Sequence, residues 1–125
     1  MDVIHAALWV DDLDAMLSFY VDGVGLDERR SFAFRGTENV YVGGDHGEIQ
    51  FRHDPDGDRG PVAPDRSTVD HVAVGVADVD RAFADLVERT GCPVVEEPMT
   101  VEQAGTRVAF VEDPEGYVLE LVEEA

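Results

Sequence analysis

The hydrophobic pattern of this chain is written twice. From Val3 to Val10 every residue except His5 is apolar, a run that reads as a strand. Asp12 then stands where a helix N-cap belongs, and Asp14 adds negative charge to the first turn. Leu13, Met16, Leu17, Tyr20 and Val24 recur at helical spacing as one apolar face, and Gly23 and Gly25 end it. At an offset of 66 residues the phrase returns, with matches at His5/His71, Ala7/Ala73, Val10/Val76, Asp12/Asp78 and Asp14/Asp80. Val69 to Val76 predicts the second strand and Asp78 the second cap. Val79, Ala82, Phe83, Leu86 and Val87 make the second apolar face, which Gly91 and Pro93 stop.

Three short strand candidates follow each helix. They lie near Leu26–Phe34, Thr37–Val42 and Glu48–Arg52 in the first half, and near Pro93–Pro98, Thr106–Glu112 and Tyr117–Val122 in the second. The turns GGDHG and EDPEG carry residues that tolerate tight backbone geometry. Each half therefore reads β-α-β-β-β. A half of about 60 residues buries too little surface to be robust alone. The expected fold is α+β: two βαβββ modules forming a cupped mixed sheet with helices on its outer face. One domain is expected, with module 1 at about 1–53, a polar Pro/Gly-rich linker at about 54–67 and module 2 at about 68–125.

Strand alternation sorts the polar residues. His5 shares a face with Ala7 and Trp9, whereas Ile4, Ala6, Leu8 and Val10 make the face that packs on the helix. His71 goes with Ala73 and Gly75, opposite Val72, Val74 and Val76. In the last strands Glu120 lies between Leu119 and Leu121, and Gln50 between Ile49 and Phe51. Four polar side chains, His5, Gln50, His71 and Glu120, thus occupy equivalent points of two repeats, where facing repeats would bring them together. Two imidazoles, a carboxylate and an amide oxygen suit a divalent first-row metal and leave two octahedral positions open. Each histidine taken alone reads better as a satisfied core residue, and Glu120 as a solvated edge residue; the fourfold coincidence across the repeat favours the metal. Glu48 has the parity of Gln50 and can replace it as ligand or stand at the rim, while Trp9 and Phe110 line the cavity or simply pack.

Charge narrows the partners. With 28 acidic residues against 9 basic ones, all Arg, the net charge is −19, which repels nucleic acid and anionic membranes. The acids are spread among periodic apolar positions and do not form a disordered run; adaptation to high salt, where self-repulsion is screened, is the expected reason. No apolar run approaches a membrane span and no signal peptide is visible, so a cytoplasmic location is expected. The lone Cys92 excludes an internal disulfide. DPDGDRG places Asp54, Asp56 and Asp58 like the start of a calcium loop, but Arg59 and Asp65 break that pattern and a solvated linker is the better reading. His46 and His53 are expected to be exposed.

HAALWVDDLDAMLSFYVDGVGL and GTRVAFVEDPEGYVLELVEE resemble the opening and closing segments of the vicinal oxygen chelate superfamily, in its glyoxalase I-like branch, and the resemblance spans essentially the whole chain. It implies paired βαβββ modules, a metal held by His5, Gln50, His71 and Glu120, and a homodimer. It also implies a small-molecule substrate of the α-oxo or hemithioacetal type, isomerised by proton transfer through a metal-stabilised enediolate with Glu120 as base. The metal would be Ni, Zn, Co or Mn. Two other family activities use the same cup: Fe(II) extradiol dioxygenases, for which His5, His71 and Glu120 would be the ligand triad, and non-catalytic resistance proteins that bind a small molecule. The chain departs from the bacterial glyoxalase pattern at Gln50, usually a second Glu, and at Trp9 and Asp54, usually Arg and Asn. The last two departures weaken the match to glutathione.

Overall fold

A computed structural model of the chain describes residues 3, 5–56 and 69–124. The chain divides into two compact units, Met1–Pro64 and Asp65–Ala125. In the first, β1 (His5–Trp9) leads into α1 (Leu13–Leu17), a π-helical segment (Ser18–Val24), and strands β2 (Asp27–Phe34), β3 (Thr37–Gly43) and β4 (Glu48–His53). In the second, β5 (Val72–Gly75) precedes α2 (Val79–Thr90), β6 (Val94–Val101), a short 3-10 turn (Glu102–Ala104), β7 (Thr106–Glu112) and β8 (Val118–Glu124). The βαβββ order therefore occurs twice, in an α+β protein. Most of the expected linker, together with Asp58, Arg59 and Asp65 of the calcium-loop-like motif, lies outside the described residues.

The strands form two four-stranded mixed sheets, ordered β1-β4-β3-β2 and β5-β8-β7-β6. In each, the first strand pairs parallel with the last, and the other pairings are antiparallel. This sandwiches the fourth strand of each repeat between two neighbours, so its side chains have fixed surroundings on both flanks. Each sheet ends in its first strand, β1 or β5, on one side; the opposite edges are β2 and β6. Both carry register shifts, at Glu28/Arg30 and at Val94/Glu96/Met99, and such bulges twist an edge away from further pairing.

Both repeated aspartates are N-caps. Asp12 Oδ1 accepts from the Ala15 amide at 3.0 Å and Asp78 Oδ1 from the Arg81 amide at 3.1 Å, each answering a donor that the first turn leaves unpaired. Gly91 closes α2 in the left-handed region, with φ 65°, and its amide bonds to the Val87 carbonyl. The first helix departs from the regular 3.6 spacing. It widens after Leu17 into a π turn that ends at Gly25, whose φ is 95°. This winding lets the adjacent rings of Phe19 and Tyr20 both face inward, whereas regular spacing marks Tyr20 alone. Tyr20 then packs on Phe51 of β4, ring centroids 5.3 Å apart.

The residues that alternation assigns to the core face are largely buried in β1, β3 and β4, although Ala6 is exposed and Asn39, Tyr41 and Gln50 of the other face are buried too. Leu8, Val10, Val40, Val42, Ile49 and Phe51 are buried on the helix-facing side. Val72, Val74 and Val76 are only half-buried, and β5 is four residues long and begins later than the apolar run. β6 instead runs on through Pro98 to Val101, which the sequence pattern ends at Pro98; a proline is tolerated there because β6 is an edge.

Arg107 grips Asp80 with Nε at 2.7 Å and Nη2 at 2.9 Å, and these bonds hold the Asp80 carboxyl below its ordinary value. That contribution is present above the unfolded-state pKa and fades as acid titrates the lowered group. The chain as a whole carries a net charge of −19. Screening shortens from about 30 Å at 0.01 M to about 3 Å at 1 M salt. The melting temperature measured along a KCl series is therefore expected to fall steadily toward low salt. A flat profile would remove high-salt adaptation as the reason for the acidic composition.

Candidate functional site

The face of each sheet that the apolar core does not use carries a matching row. In the first unit β1, β4 and β3 place Ala7, Gln50 and Tyr41 side by side. In the second unit β5, β8 and β7 place Ala73, Glu120 and Phe110 the same way. Each histidine sits two residues before its alanine and meets the row's aromatic ring edge to face. His5 lies 5.5 Å from Tyr41 at 84°, and His71 lies 6.0 Å from Phe110 at 86°. The motif is thus an imidazole braced on a ring, with a polar side chain on the central strand beside it.

The two copies differ in chemistry. His5 Nδ1 is buried and has no hydrogen-bond partner. Gln50, also buried, donates from Nε2 to Asn39 Oδ1 at 2.9 Å. In the second copy His71 Nδ1 lies 2.7 Å from Asp70 Oδ2, and Nε2 lies 3.2 Å from Glu120 Oε1. With the Nδ1 proton given to Asp70, Nε2 and the carboxylate would be two acceptors face to face. A cation between them would satisfy both acceptors. An aspartate behind the far nitrogen is the usual support for a ligating histidine. Taken unit by unit, the first offers an unpartnered buried imidazole nitrogen and the second a His/Glu pair facing at 3.2 Å, and each is donor chemistry that fits a divalent ion. Among the described residues no single group of three or more His, Cys, Asp and Glu is gathered into a cage; each unit presents a pair.

The remaining expected residues are placed as follows. Glu48 sits opposite His5 in the β1–β4 register and pairs with Arg30, Nη2 to Oε1 at 3.5 Å. Trp9 lies under the Arg52 guanidinium, 4.7 Å from ring centroid to Cζ. Phe110 braces His71. His46 is exposed, but His53 is half-buried and paired with Glu38 at 2.8 Å. It is the last residue of β4, so cross-strand register and not a turn sets its environment.

Several neighbours escape a search for metal-type residues. Tyr41 lies between His5 and Arg30, whose Cζ stands 4.1 Å above its ring. Asn39 accepts from both Gln50 and Arg52. Thr37 Oγ1 and Asp54 Oδ2 are buried without partners at the far end of the β3–β4 pair. Alternation alone could have found Asn39 and Tyr41, because they face away from Val40 and Val42 in the same strand.

Doubled βαβββ units with an imidazole and a ligand-type partner in each define a recognisable class. The family model described as the glyoxalase/bleomycin resistance protein/dioxygenase superfamily matches residues 3–121, and the chain belongs to that superfamily. A lactoylglutathione lyase of Haemophilus influenzae is 31% identical over 132 residues, covering 98% of this chain and 93% of the relative. Among solved structures, a glyoxalase I mutant of Zea mays superposes with a TM-score of 0.81 at 23% identity, over 98% of this chain and 44% of that one. TnmS3, an antibiotic binding protein from Streptomyces sp. CB03234, gives 0.79 at 25% identity, over 100% and 97%. Among the described residues no helix is long and apolar enough to cross a membrane.

Proposed function

We propose that this chain is a glyoxalase I-like lyase in which His5, Gln50, His71 and Glu120 serve one divalent first-row ion, Ni, Zn, Co or Mn. The repeated His-on-ring motif, with Gln50 beside one copy and Glu120 beside the other, carries this reading. A divalent ion held there supplies Lewis acidity to the vicinal oxygens of an α-oxo or hemithioacetal substrate. The chain's own groups do the rest. Glu120 takes a proton from one carbon and returns it to its neighbour, while Asp70 fixes the His71 ring through Nδ1. Gln50, being neutral, adds no competing base. Tyr41 and Phe110 hold both imidazoles on edge.

The tail of the substrate meets a polar end of the first unit, where Arg52 lies on Trp9 and the unpartnered Thr37 and Asp54 oxygens are buried. A thiol with one carboxylate and one amino group suits such a surface better than a purely anionic one. The protein acts as a soluble homodimer in the cytoplasm under this reading.

Metal analysis of protein purified without chelator tests the proposal, followed by methylglyoxal turnover with glutathione, cysteine and cysteamine. Bound Ni, Zn, Co or Mn with turnover on one of these thiols is expected, and His5→Ala should abolish stoichiometric metal. Oxygen-labile iron would indicate the dioxygenase chemistry of the same superfamily. Absence of any tight metal, with small-molecule binding intact in His5→Ala, would replace an enzyme by a binding protein of the TnmS3 kind.

A further inference from the structure

We propose that Asn39 is a positioning residue that fixes the polarity of the Gln50 amide and makes position 50 accept an amide but not a carboxylate. The inference rests on the ligand set proposed above, and it explains why one half of the repeat carries Gln and the other Glu.

Three hydrogen bonds establish the direction. Arg52 can only donate, and its Nε lies 3.2 Å from Asn39 Oδ1. The Thr37 carbonyl can only accept, and it takes a bond from Asn39 Nδ2 at 3.1 Å. Turning the Asn39 amide over would set its NH2 against the guanidinium N–H and its oxygen against a carbonyl, so both neighbours oppose the flip. Oδ1 of Asn39 is thereby fixed as an acceptor toward position 50. The group that meets it at 2.9 Å must donate, and Gln50 Nε2 does so. Its other pole, the carbonyl oxygen, is left as the group that can act as a ligand. Asn39 and Gln50 are both buried, so water does not dilute this choice.

The second unit provides an internal comparison. In its register Val108 and Val122 occupy the places of Asn39 and Arg52, one step along from the Glu120 row. Among the described residues these two positions present no side-chain acceptor to Glu120, and a carboxylate is accommodated there. A glutamate at position 50 would instead bring an ionised oxygen to hydrogen-bond distance of Asn39 Oδ1, with no proton between them. Added negative charge ordinarily tightens a site for a divalent cation. Here the clash should cancel that gain.

The diagnostic is a change of sign in a double-mutant cycle. Asn39→Leu in the otherwise native chain is expected to weaken Zn2+ or Ni2+ binding roughly tenfold to a hundredfold, as loss of an outer-shell partner does. Gln50→Glu alone should bind metal no more tightly than the native protein. In the Gln50→Glu background the same Asn39→Leu change should instead tighten binding, because it removes the opposing oxygen. Apparent dissociation constants come from competition with a fluorescent chelator. Melting temperatures of all four proteins are read in excess EDTA. There Asn39→Leu should lower the melting temperature of the native chain but raise that of Gln50→Glu. A purely structural Asn39 would lower both, and that outcome overturns the proposal, as does a Gln50→Glu protein that binds metal more tightly by itself. If no variant binds metal while the sign change persists in EDTA, the metal reading fails and the polarity assignment stands.

Discussion

Replacing Glu120 with Gln is expected to lower turnover of an active hemithioacetal by about a hundredfold to ten-thousandfold, the range that a positioned general base contributes. The variant keeps nearly the same shape, and Glu120 lies on the face away from the Leu119 and Leu121 core, so the melting temperature should change little. The size of the effect follows from the lack of a substitute. Gln50 has no basicity. Glu48 is paired with Arg30 at 3.5 Å. Asp70 stands on the far side of the His71 ring, against Nδ1. Deuterium exchange at the substrate carbon in D2O provides a second readout, because loss of the base should suppress exchange together with product formation. Retention of turnover within tenfold would show that another group carries the proton, and Glu120 would then be a ligand alone.

The sequence made much of this arrangement readable because the repeat imposes two constraints at once. Asp12 and Asp78 could be recognised as caps from their spacing to the apolar face, and the structure has both accepting from a first-turn amide. Parity in the last strands separated Gln50 and Glu120 from their apolar neighbours, and the registers set each in the row beside Ala7 or Ala73. What escaped depends on side-chain and backbone geometry that hydrophobic periodicity does not encode. Nothing local marks Asp70 as the partner of His71, since an acid before a strand is ordinary in so acidic a chain. The π winding at Ser18–Val24 was hidden because Tyr20 and Val24 also satisfy regular helical spacing, and only the burial of Phe19 shows the extra width. Gln50 looked like a departure from a two-glutamate pattern. Its neighbours Asn39, Arg52 and Thr37 turn that departure into a consequence of local hydrogen bonding.

Phe51→Ala should be the most destabilising single change in the first unit, costing about 3–5 kcal/mol. Phe51 is fully buried, sits in register between Leu8 and Val40, and carries the ring of Tyr20. Domains of this size are stable by only about 5–15 kcal/mol, so the loss removes a large part of the margin, and most at low salt. The consequence for the site follows from the pleat. Phe51 is the residue between Gln50 and Arg52 on one strand, and their side chains point to the opposite face. A strand that sinks toward the cavity left by Phe51 must carry both polar neighbours with it, lengthening the bonds to Asn39. Phe51→Leu keeps most of the volume and should cost markedly less. Urea unfolding and metal competition on the same two variants check the argument. Stability and metal affinity should fall together in Phe51→Ala and recover together in Phe51→Leu. A large stability loss with unchanged metal affinity would show that Gln50 is held by its hydrogen bonds independently of the core beneath it.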